Sequence, residues 1–117
     1  MRKKILVAED EVLGRITLKF MLKDRYEVIF AKNGRQAVER YFEHLPDLVL
    51  MDIMMPVING FEAFDEIDKK SGGKRAPIIA CTAKVIKTEK EYLVSYGFDD
   101  YISKPIDMKH LHQLIEQ

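Results

Sequence analysis

The chain has one cysteine, Cys81, so no internal disulfide can form. Cys81 lies in an apolar run, and its expected role is that of a small core residue in a reducing compartment. Neither charge sign is in excess, because nineteen Lys and Arg balance nineteen Asp and Glu. That balance removes the basic footprint of a nucleic-acid binder. No apolar run approaches the ~20 residues of a membrane helix. Arg2-Lys3-Lys4 is followed by four apolar residues, Ile5 to Ala8, before Glu9-Asp10-Glu11, which is too short for a signal peptide. His44, His110 and His112 show no metal-ligand spacing. There are no repeats or low-complexity tracts. No glycine-rich fingerprint follows the first apolar run, which disfavours a dinucleotide-binding fold. These absences leave a single domain over 1–117, expected to be cytoplasmic, with neither nucleic acid nor membrane as a direct partner.

The most informative stretch is Leu48-Val49-Leu50-Met51-Asp52-Ile53-Met54-Met55-Pro56. Four apolar residues running into one carboxylate read as a strand buried on both faces. Pro56 stops regular structure just beyond it. Asp52 is thereby placed at the carboxyl end of a central strand, the rim where open parallel sheets bind ligands.

The rest of the chain alternates strands with helices. Lys4 to Ala8 reads as a first strand. Leu13, Ile16, Thr17, Phe20 and Met21 recur at helical spacing and define one face of a helix over about 11–24. Tyr26 to Ala31 is β-branched and aromatic, a second strand. Asn33 is an N-cap for a helix carrying Ala37, Val38, Tyr41, Phe42 and Leu45, closed by Pro46. After the third strand, Asn59-Gly60 signals a turn, and Phe61, Phe64 and Ile67 mark a helix to about 70. Residues 71–74 form a loop. A fourth strand, Pro77 to Cys81, ends at Thr82. Residues 84–96 read as a helix with a ragged apolar face, Val85, Ile86, Tyr92, Leu93 and Tyr96, hence only partly packed. Gly97 ends it. Asp99 to Ser103 is a short fifth strand, and Asp107 caps a last helix with Met108, Leu111 and Ile115 on one face. Five strands alternating with five helices predict an α/β domain: a doubly wound parallel sheet with helices on both faces.

In such a sheet the strand ends share one edge. Strand one supplies Glu9 and Asp10, strand three Asp52, strand four Thr82, and strand five Lys104. Taken singly, these are helix-start acids, a strand residue and a solvated charge. Together they are specific. Three crowded carboxylates repel one another and call for a cation. An all-oxygen site suits Mg²⁺, which keeps several waters and bridges to phosphate. A carboxylate can attack a phosphoryl group to give an aspartyl phosphate. The charge on its three oxygens would then be met by Mg²⁺, by Lys104, and by the Thr82 hydroxyl or backbone N–H groups.

The acidic pair Glu9-Asp10, Asp52 with Met55-Pro56 and Gly60, Thr82-Ala83 and Lys104-Pro105 together resemble a response-regulator receiver domain, the phosphoacceptor of two-component signalling. The resemblance covers essentially the whole chain. It implies the flavodoxin-like strand order 2-1-3-4-5. It implies that Asp52 is phosphorylated by a histidine kinase or a histidine phosphotransfer protein. It implies that Asp10, Asp52 and the Met54 backbone carbonyl hold Mg²⁺ (Mn²⁺ being the alternative ion), and that Glu9 acts through water. Lys104 is implied to pair with the phosphoryl group. Thr82 and Tyr101 are implied to form a switch pair that repacks the face of the fourth helix, fifth strand and fifth helix towards a downstream protein. The segment from Gly97 to Ile106 is also similar to receivers attached to hybrid histidine kinases, so the chain reads as a single-domain regulator or a domain of a longer kinase, with no output domain of its own.

Met54 and Lys84, two residues after Asp52 and Thr82, line the expected site mouth. They depart from many relatives there, which bears on how fast phosphate is lost. Two alternatives compete. One is a receiver-like interaction module that takes no phosphate. The other is a Mg²⁺-dependent aspartyl-phosphate phosphatase, which needs a second Asp two residues past the nucleophile, where this chain has Met54. The domain is therefore read as a phosphoacceptor that assists its own chemistry and not as a dedicated enzyme. The fifth strand must end, aim Lys104 at Asp52 and turn at once into the last helix, and together with the resemblance this predicts a cis Lys104–Pro105 peptide.

Overall fold

Among the described residues, the apolar runs become the five strands of one parallel sheet: β1 (Lys4–Ala8), β2 (Glu27–Ala31), β3 (Leu48–Asp52), β4 (Ile78–Thr82) and β5 (Asp100–Ser103). Their spatial order is β2-β1-β3-β4-β5, as expected. The helices are α1 (Val12–Leu22), α2 (Gly34–His44), α3 (Gly60–Lys70), α4 (Lys87–Tyr96) and α5 (Met108–Ile115). This computed structural model describes residues 2–83 and 87–117. Lys84, Val85 and Ile86 lie outside the described residues.

β3 is central and buried at every position, as a strand covered on both faces requires. One sheet face, with Leu6, Val49, Met51, Ile78 and Ala80, packs under α2 and α3 through Val38, Tyr41, Phe64 and Ile67. The other, with Ile5, Val7, Leu50, Ile79 and Ile102, packs under α1 and α5 through Leu18, Leu22, Leu111 and Ile115. Cys81 belongs to this second core, and burial pushes its thiol up to about 12, so it is a packing residue and no nucleophile at neutral pH.

Local chemistry sets the helix starts. Asn33 Oδ1 accepts from the Gln36 N–H, and Asp107 Oδ2 from the His110 N–H. Asn59, read above only as a turn, forms a full capping box with Glu62. At the far end of α2, Leu45 takes φ 48 and its N–H reaches the Tyr41 carbonyl, a left-handed cap before Pro46.

The apolar face read on α1 is mostly turned away from the sheet. Leu13, Ile16 and Phe20 point outward, Leu13 at 74% and Phe20 at 68% exposure, while Leu18 and Leu22 seal the helix to the sheet. The helix carries two apolar stripes, and periodicity alone does not say which one meets the core. Phe42, Leu45 and Met108 are likewise exposed. In α4, Leu93 is buried while Tyr92 and Val94 are exposed, in keeping with partial packing.

Candidate functional site

The sheet order brings β1 beside β3, and the crevice above their carboxyl ends lies at the point where the strand order reverses. The ladder runs one residue past the strands. The Ile53 N–H donates to the Cys81 carbonyl and the Lys104 N–H to the Thr82 carbonyl. This aligns Asp52, Thr82 and Lys104 along one edge. The Lys104–Pro105 peptide is cis, as expected.

Asp52 is 6% exposed and Glu9 2%. The Lys104 Nζ donates to Glu9 Oε1 at 2.7 Å and to Asp52 Oδ2 at 3.3 Å. Asp52 Oδ1 accepts from the Met54 N–H at 3.1 Å, and Glu9 Oε2 from the Glu11 N–H at 3.3 Å. Arg15 Nη1 donates to the carbonyls of Glu9 and Asp10, both at 2.9 Å, and so fastens α1 to the acidic turn.

The charges are unevenly satisfied. Burial pushes the Asp52 carboxyl up to about 6; the Glu9 charge adds to this, and Lys104 and the Met54 N–H only partly oppose it. Burial also acts upward on Glu9, but the hydrogen bonds from Lys104 and the Glu11 N–H outweigh it and hold the carboxyl below its usual range. Burial would lower Lys104, yet its bond to Glu9 and the Asp52 charge keep the ammonium raised. Among the described residues, one ammonium, that of Lys104, is bonded to Glu9 and Asp52, and Asp10 stands beside them. Oxygens of Glu9, Asp10 and Asp52 lie within 4.8 Å of one another, a group that could hold a metal ion. The unmatched negative charge and the all-oxygen donor set fit a hard divalent cation.

Thr82 is half-buried at the end of β4, and Tyr101 half-buried on β5. Ala80 pairs with Tyr101 and Thr82 with Ser103, so Thr82 and Tyr101 share a sheet face. The Lys90 ammonium lies 5.5 Å from the Tyr101 ring centroid. The Met54 side chain is 78% exposed beside Asp52. Lys84, expected from the sequence at the site mouth, lies outside the described residues.

Three features escaped the sequence reading. Arg15 sits four residues after Glu11, a spacing that suggests a surface pair, whereas its guanidinium holds two backbone carbonyls. Val57, exposed in the β3–α3 loop, has φ 72. A β-branched residue there carries strain on the order of 1–3 kcal/mol, with no signature in sequence. Finally, the outward stripe of α1 borders a groove of about 280 Å³, where Leu13, Thr17, Pro105 and Ile106 meet Glu9 and Lys104.

An open parallel α/β sheet with a buried, lysine-bridged set of acids at its strand-reversal crevice defines a class of ligand-taking flavodoxin-like domains. The chain belongs to the response regulator receiver domain family, whose model matches residues 5–116. It is a receiver domain of two-component signalling. It is 41% identical over 122 residues to hybrid signal transduction histidine kinase I of Dictyostelium discoideum, covering 97% of this chain but 7% of that protein. It is 41% identical over 106 residues to the chemotaxis protein CheY of Halobacterium salinarum, covering 90% of this chain and 87% of that one. Among solved structures, it is similar to the receiver domain of sensor histidine kinase PA1611 from Pseudomonas aeruginosa, with magnesium in its active site cleft. That match has TM-score 0.89 and 32% identity, and covers 99% and 96% of the two chains. The Saccharomyces cerevisiae Ssk1 receiver domain, crystallised with the histidine phosphotransfer protein Ypd1, matches at TM-score 0.87 and 29% identity, covering 97% and 86%. Among the described residues, no helix is long and apolar enough to cross a membrane.

Proposed function

We propose that this domain is a phosphoacceptor whose Asp52 takes a phosphoryl group from a phosphohistidine donor. The observation that carries the reading is the Lys104 ammonium bridging Glu9 and Asp52 in a cluster of three carboxylates. An Asp52 carboxylate oxygen bonds to phosphorus as the P–N bond to the donor imidazole breaks, and the leaving nitrogen keeps the electron pair. Mg²⁺, held by Asp10, Asp52 and the Met54 carbonyl, with Glu9 through water, would neutralise charge on the transferred oxygens. Lys104 and the Thr82 hydroxyl meet the rest. Thr82 then draws Tyr101 inward from the shared sheet face, and the α4-β5-α5 face changes its partner. The domain assists its own phosphorylation without being a dedicated enzyme, and it acts in the cytoplasm. The receiver with magnesium in its cleft supports the metal assignment.

The test is intact mass after incubation with acetyl phosphate and Mg²⁺. One phosphate per chain is expected, and a chelator should prevent it. No gain, or a gain indifferent to the chelator, would overturn the reading.

The donor is a histidine kinase or a histidine phosphotransfer protein, and the outward stripe of α1 is its docking face. An exposed apolar stripe beside the acceptor site is the feature a protein donor needs and a small molecule does not use. The Ssk1 receiver crystallised with Ypd1 supports this choice of partner. Phe20→Asp is expected to slow transfer from phosphorylated Ypd1 roughly tenfold or more, as losing a central aromatic contact does. Labelling by acetyl phosphate should not change. Equal slowing of both donors would remove α1 from docking.

Phosphate loss is expected to be slow. Hydrolysis needs a water held in line behind phosphorus, and positioning supplies most of the catalysis. Met54 offers this water only a thioether. Met54→Asn should shorten the phosphoryl lifetime by about tenfold, less than the ~10²–10⁴ of a full general base because an amide only orients the water. Wild-type loss within seconds, or slower loss in the variant, would show that Met54 does not withhold the water.

A further inference from the structure

Resting on the phosphoacceptor reading, we propose that Gly14 is a positioning residue of the acidic site: its missing side chain is the space through which Glu9 reaches Lys104. Glu9 leaves β1 and its side chain runs beneath the first turn of α1. A Cβ on Gly14 would stand 2.6 Å from Glu9 Oε1, 2.7 Å from Cδ and 2.9 Å from Cγ. Carbon atoms not bonded to one another settle at about 3.5–4.0 Å. The overlap takes in Cδ and Cγ as well as Oε1, so turning the carboxylate alone does not clear it. Glu9 would have to leave its place.

That place matters to the rest of the site. Of the two carboxylates on Lys104, Glu9 is the nearer, at 2.7 Å against 3.3 Å for Asp52. Glu9 also accepts from the Glu11 N–H, so the carboxylate is held from both sides. Glycine inside a helix costs about 0.5–1 kcal/mol relative to alanine, and nothing in the backbone of α1 asks for one. Gly14 is explained by the volume of the Glu9 side chain. It sits five residues after the acid it serves, at the start of the helix face that continues into the buried Leu18 and Leu22.

The test is a double-mutant cycle read by Mg²⁺ titration calorimetry and by thermal melting without metal. Outer-shell partners typically change metal affinity about 10–100-fold, and Gly14→Ala should weaken Mg²⁺ binding by roughly tenfold. In a Glu9→Ala background, Gly14→Ala should change Mg²⁺ affinity by less than about twofold, because there is no longer a carboxylate to displace. The metal-free melting temperature of that pair should equal or exceed that of Glu9→Ala alone. If Gly14→Ala fails to fold while the pair folds, the steric argument stands. Binding by Gly14→Ala within about twofold of wild type, an equal loss in both backgrounds, or a pair that does not fold overturns the proposal. Absence of Mg²⁺ binding by the wild-type chain overturns the phosphoacceptor reading itself, and this proposal with it.

Discussion

Asp52→Asn is expected to abolish the phosphate gain and, in the same protein, to raise the metal-free melting temperature at pH 7. Both follow from the environment of one carboxylate. Asp52 is buried beside Glu9 and shares the Lys104 ammonium with it, so its charge is costly and its carboxyl is pushed up to about 6. An unfolded Asp titrates near 4. Between those values the native chain holds a proton that the unfolded chain has released. The contribution of this group to stability therefore falls as pH rises from about 4 to about 6, and the full penalty applies above that. Asparagine keeps an oxygen for the Met54 N–H and removes the charge, while Lys104 retains Glu9. The gain should be on the order of 1–3 kcal/mol at pH 7, since each tenfold change in proton affinity is worth about 1.4 kcal/mol. It should be small at pH 4 and widen towards pH 6. Mg²⁺ should raise the melting temperature of the wild type more than that of the variant. Melting curves at several pH values, with and without Mg²⁺, read this directly. A wild type that melts above Asp52→Asn at pH 7 without metal, or a gap that closes as pH rises, would refute the account.

Arg75→Ala is expected to lower stability by about 2–4 kcal/mol, or roughly 10 °C in melting temperature. The Arg75 side chain is 12% exposed. Its guanidinium donates to Asp68 Oδ1 at 3.1 Å, to Asp99 Oδ2 at 2.7 Å, and to the carbonyls of Ala76 and Gly97 at 3.1 and 3.0 Å. It also lies 4.5 Å from the Phe64 ring centroid. One side chain thus joins α3, the entry to β4 and the turn after α4. The carboxylates are about half exposed and can be rehydrated, which keeps the cost at the lower end for a broken buried pair. The buried Phe64 ring face, which the guanidinium covers, has no such relief. Arg75→Lys should recover little, because an ammonium cannot fork to four acceptors while covering a ring. Denaturant melts of the three proteins provide the measurement. Full recovery with lysine would reduce Arg75 to a simple charge.

Arg75 did not stand out in the sequence, where the preceding Ser71-Gly72-Gly73-Lys74 read only as a loop. Asp52 did stand out, because a short apolar run ending in a carboxylate before Pro56 is a local signal. The caps at Asn33 and Asp107 were local in the same way, as was the alternation that implies a parallel sheet. The outward stripe of α1 was visible as periodicity, which does not say whether it meets the core or solvent. Leu13, Ile16 and Phe20 are as apolar as Leu18 and Leu22, and only the sheet beneath the helix chooses between the two stripes.

The sequence by itself determined which segments are strands and helices, which strand is buried on both faces, and which acids, hydroxyl and lysine stand at strand ends. Those properties follow from neighbours within a few residues, through side-chain alternation, helical spacing and capping. The tertiary structure decided how these ends meet. Lys104 and Glu9 are 95 residues apart and come to 2.7 Å only because β1, β3, β4 and β5 lie parallel in one register. It also decided that Asp52 carries the least compensated charge, that Gly14 leaves room for Glu9, and that Val57 takes a left-handed backbone. Each of these depends on what burial and packing place around a residue, and no spacing along the chain encodes it.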